Sequence, residues 1–113
     1  MRYLIRSGIM EIKFFDNKIE SFIDSLDRQV IARLLRALDL LLTFGHELGM
    51  PHSKKVASRL FELRVRGKQE IRIFYAFHSG AAVLLHGFIK KSQRTPKREI
   101  EMARQKLKAL DGV

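Results

Sequence analysis

Residues 58–89 read SRLFELRVRGKQEIRIFYAFHSGAAVLLHGFI, and their pattern is the strongest indication of the fold. It contains three runs rich in β-branched and aromatic residues, over 58–65, 70–77 and 81–89, and the two short gaps between them each contain glycine. Gaps of this kind between such runs are typical of β-hairpins. The third run is apolar at nearly every position, as expected for a strand covered on both faces. The stretch therefore predicts three consecutive strands of an antiparallel sheet.

A strand and two helices are predicted before this stretch. Residues 9–15 form the strand, and either Asp16 or Asn17 caps the helix that follows. A second helix covers residues 27–44 and ends at Gly45, so the two helices form a hairpin laid on the sheet. The next residues, 45–57, contain two glycines and a proline and are predicted to be an ordered connection.

A final helix is predicted after the sheet. Thr95 caps this helix and Pro96 occupies its first position. Its apolar stripe consists of Ile100, Ala103, Leu107 and Leu110. The elements together predict an α+β domain, in which an N-terminal strand and a helical hairpin pack on an antiparallel sheet that is followed by a C-terminal helix.

The length and composition indicate one domain without a metal or cofactor. The 113 residues have room for a single core over 1–113, and residues 1–9 are an N-terminal extension if Met10 is the true start. The chain has no cysteine, which excludes disulfides and thiolate zinc sites and fits a reducing cytoplasm. His46 and Glu47 resemble the opening of a zinc-protease motif, but Met50 stands where its second histidine belongs. No apolar run is long enough to span a membrane.

The excess positive charge lies entirely in the second half of the chain. Residues 1–53 contain seven Lys and Arg and seven Asp and Glu, whereas residues 54–113 contain fifteen Lys and Arg against five Asp and Glu and so carry the whole formal charge of +10. A concentration of like charge predicts a polyanion or an acidic protein as partner. The alternative is a solvated basic face that only aids solubility.

Strand alternation places two arginines opposite each other. Matching the apolar faces of the first two strands requires a loop of odd length, which pairs Leu63 with Ile73 and sets Arg64 across from Arg72. Like charges in that position are destabilising, and a bound phosphate would remove the conflict because two guanidinium groups can grip it. Alternatively, Glu62 and Glu70 neutralise the arginines as surface ion pairs.

Further basic residues surround this arginine pair in the predicted fold. Lys90 and Lys91 end the third strand, and Lys54 and Lys55 in the preceding connection can close the same cleft. Aromatic side chains on this face can stack bases while the cations hold the backbone, which favours an RNA surface. His86 is predicted to be a hydrogen-bonded core or cleft residue rather than a catalytic one, and spacing alone places Tyr75 in the core.

Several segments resemble the RelE/ParE superfamily of type II toxins, and most closely its HigB-like, phage-derived branch. They are Leu60-Phe61-Glu62-Leu63-Arg64, Ile71-Arg72-Ile73-Phe74-Tyr75, Leu84-Leu85-His86-Gly87-Phe88-Ile89-Lys90-Lys91 and Thr95-Pro96. The resemblance covers roughly residues 10–110 and includes the order of the elements.

The resemblance implies a RelE-like fold and a toxin encoded beside an antitoxin, which would be a small helix-turn-helix protein. Such toxins are ribosome-dependent endoribonucleases that cut translated mRNA without a metal, by attack of a 2′-hydroxyl on the adjacent phosphate. Carried over to this chain, Arg64 and Arg72 hold the scissile phosphate, Lys90 and Lys91 supply charge or a proton, and Tyr75 matches a family tyrosine. These five are the expected catalytic residues. Lys54, Lys55, Arg94, Lys97 and Arg98 are the expected RNA-binding residues.

One departure from the family leaves the proton-transfer groups unassigned. Several RelE toxins carry a catalytic tyrosine near the C-terminus, whereas the last tyrosine of this chain is Tyr75. Arginine has too high a pKa to be a good proton donor. Two other readings therefore stay open, namely a ParE-like toxin that inhibits gyrase without chemistry of its own and a plain nucleic-acid-binding module.

Overall fold

A mixed β-sheet with helices on both faces forms the part of the protein that the computed structural model describes, residues 6–7 and 10–112, with side chains from residue 10 onward. The strands are β1 (Arg6–Ser7), β2 (Met10–Phe14), β3 (Ser53–Ala57), β4 (Leu60–Val65), β5 (Glu70–His78) and β6 (Ala81–Lys90). The helices are α1 (Asn17–Asp24), α2 (Arg28–Phe44) and α3 (Lys97–Leu110), with a 3-10 turn at Gly45–Glu47. Within the described residues the strand order is β1-β2-β6-β5-β4-β3.

The predicted α+β class and the central strands are confirmed. Strands β4, β5 and β6 are consecutive antiparallel neighbours, as the sequence of residues 58–89 predicts. Leu63 pairs with Ile73, and Arg64 lies directly opposite Arg72. The register inferred from strand alternation and an odd loop is therefore correct.

The sheet is not antiparallel throughout, because β2 runs parallel to β6, with Glu11 opposite Ala81. The α1–α2 hairpin returns the chain so that β3 runs opposite to β2. Three reversals through β4 and β5 then bring β6 into the same direction as β2. A strand's residue pattern encodes which face is buried and not which way the neighbouring strand runs, so the sequence did not reveal this direction.

Residues 45–57, predicted as a connection, contain the 3-10 turn and the whole of β3. This strand is at the described edge of the sheet and pairs with β4 on one side only, with Lys54 opposite Glu62. Lys54 and Lys55 are exposed. Lysines on an edge strand prevent pairing with other chains, and they also hide the alternation by which a strand is recognised. Because Arg59 turns the chain with φ of 59°, β4 begins at Leu60 rather than at residue 58.

The helical hairpin begins and ends as predicted. Asp16 caps α1 by accepting a hydrogen bond of 3.1 Å from the amide of Ile19. Burial raises the pKa of Asp16, but hydrogen bonds from Ile19 and Lys106 outweigh it and bring the pKa below its ordinary value. Gly45 follows the last residue of α2 with φ of 55°, a left-handed conformation that glycine adopts without strain.

The predicted cap of the last helix is wrong. Helix α3 begins at Lys97 after Pro96, and no side chain caps its first turn. Thr95 instead donates a hydrogen bond of 3.1 Å to Oε2 of Glu62 on β4. The Thr95 hydroxyl therefore donates a hydrogen bond to a buried carboxylate and does not cap the amides of the first helical turn. The predicted stripe is correct, since Ala103 and Leu107 are buried against the sheet.

The two faces of the sheet have separate cores. On the hairpin face, α1 and α2 cover the alternate side chains that include Leu63, Ile73 and Tyr75. On the α3 face, α3 covers Leu60 and Phe74. Residues 6–7 of the predicted extension pair with β2, and residues 1–5 and 8–9 lie outside the described residues. None of the helices in the described part of the chain combines the length and the apolar character that crossing a membrane requires.

Candidate nucleic-acid interface

The arginine pair lies on the α3 face, beside the loop that leads into α3. Arg64 on β4 and Arg72 on β5 point to the same side as Glu62, because alternate residues of a strand share a face. Glu62 Oε1 lies 3.4 Å from Nε of Arg64 and 3.4 Å from Nε of Arg72. Glu70 Oε2 lies 2.8 Å from Nη1 of Arg72. The repulsion between the two facing arginines is thus offset by two carboxylates, since Glu62 lies between the arginines and Glu70 lies beside Arg72.

These ion pairs are the alternative that the sequence left open, but they are not surface pairs. The side chain of Glu62 is 2% exposed, that of Arg72 is 5% exposed and that of Arg64 is 16% exposed. A buried carboxylate costs free energy through desolvation unless it is paired and hydrogen-bonded. Glu62 meets both conditions through its two arginines and Thr95.

Arg72 is incompletely paired in this network. Its Nε is buried and makes no hydrogen bond to any described residue, although Glu62 Oε1 is 3.4 Å away. Unsatisfied buried donors are uncommon in folded proteins and accompany strained or functional groups. Of the two arginines, Arg64 is the one that reaches solvent. Arg64 can therefore meet a ligand directly, and Arg72 lies behind it and fixes Glu62.

The predicted lysines are divided by the sheet. Lys54 lies opposite Glu62 and shares the face of Arg64, whereas Lys55 lies opposite Phe61 and belongs to the hairpin face. Lys90 is opposite Glu70 at the end of β6, and its Nζ donates a hydrogen bond of 2.8 Å to the carbonyl of Gln93. The structure therefore brings Lys54 and Lys90 to the arginine pair and leaves Lys55 away from it.

The other predicted basic residues form an exposed rim. It consists of Lys91, Arg94, Lys97 and Arg98 in the loop after β6 and the first turn of α3. Arg98 lies 3.7 Å from Glu99, and its side chain is 81% exposed. These side chains are accessible to a large anion, which a phosphate backbone requires.

Tyr75 lies on the opposite face from the arginines. It is 1% exposed in the hairpin-face core, and its hydroxyl is 2.5 Å from the hydroxyl of Ser53. Burial raises the pKa of Tyr75 above its ordinary value, and the hydrogen bond with Ser53 acts in the other direction. The structure confirms the core position that spacing predicted and does not bring Tyr75 together with the predicted phosphate-binding residues.

The aromatic side chains of the α3 face do not form the open stacking surface that the sequence suggested. Phe74 is fully buried and Phe88 is 8% exposed, because α3 covers both. His86 stacks on Phe74 with the rings 5° from parallel. Nε2 of His86 is 2.7 Å from Oε1 of Glu99, which ties α3 to the sheet. His86 is thus a hydrogen-bonded cleft residue, as predicted.

His52 is a further candidate that no sequence motif indicates. It directly precedes β3 and lies opposite Arg64, whose amide donates a hydrogen bond of 2.8 Å to the His52 carbonyl. Its side chain is exposed. Histidine is the residue that most often acts as a general acid or base in enzymes, so His52 is a candidate for proton transfer. If β3 were predicted as a strand paired with β4, that pairing would place His52 next to Arg64.

No group of three or more metal-binding side chains is present among the described residues. A family model for phage-derived Gp49-like proteins (DUF891) matches residues 21–108, a segment that includes α2, β3 to β6 and the whole arginine network. The chain belongs to this Gp49-like family. The family is part of the RelE/toxin-like superfamily, which confirms the resemblance at that level. A search of curated proteins found no match to the chain.

For a Gp49-like chain, the α+β architecture described above is compatible with a RelE-like fold. Family membership also makes a toxin of a toxin–antitoxin system a compatible role. Assignment to the HigB branch remains a prediction from the quoted segments.

Proposed function

We propose that this Gp49-like protein is the toxin of a type II toxin–antitoxin system and cuts translated mRNA as a ribosome-dependent endoribonuclease. The observation that carries the proposal is the arginine pair held by Glu62 beside an exposed basic rim. The proposed partners are the ribosome, mRNA and an antitoxin, which together would place its action in the cytoplasm. Membership of a family in the toxin-like superfamily supports the same role.

The proposed chemistry is transesterification of RNA at Arg64. The 2′-oxygen attacks the adjacent phosphorus, the bond to the 5′-oxygen breaks, and a 2′,3′-cyclic phosphate and a 5′-hydroxyl result. Negative charge grows on the phosphate in the transition state, and a preorganised guanidinium stabilises it. Arg64 supplies that charge, with Lys54 on the same face. Arg72 acts through Glu62 as a positioning residue.

Proton transfer in this proposal falls to His52. The 2′-hydroxyl must lose a proton as it attacks, and the leaving 5′-oxygen must gain one. His52 lies beside Arg64 and is exposed, so it can exchange a proton with either oxygen of an RNA strand held there. Lys90 and Lys91 remain proposed sources of charge at the rim, together with Arg94, Lys97 and Arg98.

A ParE-like inhibitor of gyrase is the second candidate. Both arginines are neutralised by carboxylates and Arg72 is buried, as in an ion-pair network whose role is structural. A toxin that acts only by binding would need no more than the exposed rim.

A reconstituted translation system distinguishes the two candidates. Purified protein is added to an mRNA with and without ribosomes, and primer extension locates any cuts; DNA supercoiling by gyrase is measured in parallel. New cuts within codons that appear only with ribosomes support the nuclease. Inhibited supercoiling with intact mRNA refutes it and supports the gyrase inhibitor.

A further inference from the structure

A second basic site lies at the sheet edge, between α2 and the end of β4. It is a cleft of about 330 Å³. Its rim carries Arg33 and Arg36 from α2 and Arg66, which follows β4. Arg33 and Arg36 come from the half of the chain that is neutral overall, so the fold and not the sequence brings them to the basic half.

These three arginines are exposed and have no acidic partner among the described residues. Arg33 and Arg36 are three residues apart on α2 and therefore share one face of the helix. The guanidinium of Arg33 lies against Gly67, where a Cβ atom would stand 1.8 Å from Nη1. This contact directs Arg33 toward the strand. Unpaired like charges held together in this way disfavour the free state and favour an anionic ligand.

The floor of the cleft is aliphatic. It is formed by Ala37 and Leu40 of α2, Pro51 and Val65. The lining contains no Phe, Tyr or Trp, and its one aromatic ring is the imidazole of His52. Apart from the arginines and His52 it offers no polar side chain, and an arginine has no acceptor for the amino groups of a base. An aliphatic side chain fits this floor better than a nucleobase does.

We infer that this cleft binds a segment of a partner protein in which an aliphatic side chain is flanked by Asp or Glu. The aliphatic side chain enters the floor, and the carboxylates pair with Arg33, Arg36 and Arg66. If the protein is a toxin as proposed, the partner is its antitoxin. His52 and Arg64 also line the cleft. A segment bound there therefore lies against the proposed RNA site and competes with RNA.

The test measures binding by fluorescence anisotropy with defined probes. One probe is a short labelled peptide of Asp, Glu and Leu, and the second has Ser in place of every Leu at the same charge. The wild-type chain should bind the Leu peptide about tenfold more tightly than the Ser peptide, because only Leu fills the floor. R33E/R36E should weaken binding of the Leu peptide by about tenfold or more. K18E/R28E, which makes the same charge change at exposed positions of α1 and α2 outside the cleft, should change it by less than about twofold.

Three results would overturn the inference. Equal affinity for the Leu and Ser peptides would show that the floor plays no part, and an equal effect of K18E/R28E and R33E/R36E would show that only net charge matters. If R33E/R36E weakens binding of an RNA oligonucleotide more than binding of the Leu peptide, the cleft is an RNA surface. The assay needs no cleavage, so a chain that binds the Leu peptide but leaves translated mRNA intact refutes the nuclease and not the cleft.

Discussion

Glu62 is the residue on which the candidate site depends. It is buried, and it holds Arg64, Arg72 and the hydroxyl of Thr95 together. A phosphate that approaches Arg64 must compete with this carboxylate for the guanidinium. Glu62 therefore holds the Arg64 side chain in position when no ligand is bound. It also weakens the binding of a phosphate to Arg64, because the two anions compete for the same guanidinium.

We predict that Glu62→Gln destabilises the fold by about 3–5 kcal/mol, because it leaves the largely buried Arg64 guanidinium without a counter-charge and Arg72 with Glu70 alone. Urea unfolding of the purified variant measures the loss. Glu70→Gln is the matched control, since Glu70 pairs with Arg72 alone and its side chain is 36% exposed. That change should cost less than about 1 kcal/mol. Equal losses in the two variants would show that Glu62 has no special role.

Tyr75 gives a prediction about pH. Burial raises its pKa above 10.0, so the folded chain holds the phenol proton more tightly than the unfolded chain does. Its contribution to stability is fully present below pH about 10 and is lost as the pH rises further. Tyr75→Phe should lower the free energy of unfolding at neutral pH by about 1 kcal/mol, because the hydrogen bond with Ser53 is lost. Above pH about 10, the stability of this variant should fall less steeply with pH than that of the wild-type chain. Unfolding curves across this pH range would contradict the account if both chains lost stability equally.

At the scale of elements, α1 approaches β6 closely at Gly87. A Cβ atom there would lie 2.7 Å from the ring of Phe22 and 2.8 Å from Cδ1 of Ile73. Gly87→Ala should therefore destabilise the fold by about 1–3 kcal/mol through overpacking. Thermal or urea unfolding measures this, with Gly49→Ala as control, since its Cβ would meet only the Glu47 carbonyl at 4.0 Å. A Gly87→Ala chain as stable as the control would refute the close packing.

The sequence predicted those elements whose signals are local. Alternation along β4 and β5 fixed the facing of Arg64 and Arg72, and the helical stripes and Gly45 fixed α1 and α2. Strand β3 was missed because its lysines conceal the alternation. Thr95 looked like a helix cap, but whether its hydroxyl meets a helix amide or Glu62 depends on tertiary packing.

The candidate site was predictable only in part, for the same reason. Which residues face each other follows from register, but which are buried depends on where α3 packs. That packing buries Phe74 and Phe88, which the sequence offered as stacking surfaces, and it leaves Arg72 behind Arg64. His52 and the arginines of α2 are distant in sequence from the positions they adjoin. No local pattern marks them.

At the scale of the whole molecule, basic residues collect at one end of strands β3 to β6, where β4 and β6 end and β3 and β5 begin. The rim after β6, the arginine pair and the cleft beside α2 give that end of the sheet its basic character. Salt screens such a surface, so binding of RNA or of an acidic partner should weaken as ionic strength rises. The proposed function assigns RNA to the α3 face, and the further inference assigns a protein partner to the cleft.

The rate of mRNA cleavage in reconstituted translation by Arg64→Ala, relative to the wild-type chain, tests this assignment most directly. Arg28→Ala, at an exposed position, is the control for the loss of one positive charge, and circular dichroism confirms that each variant is folded. We predict that Arg64→Ala slows cleavage by about a hundredfold or more, while Arg28→Ala cleaves at nearly the wild-type rate. A folded Arg64→Ala chain that cuts mRNA as fast as the wild type would contradict it.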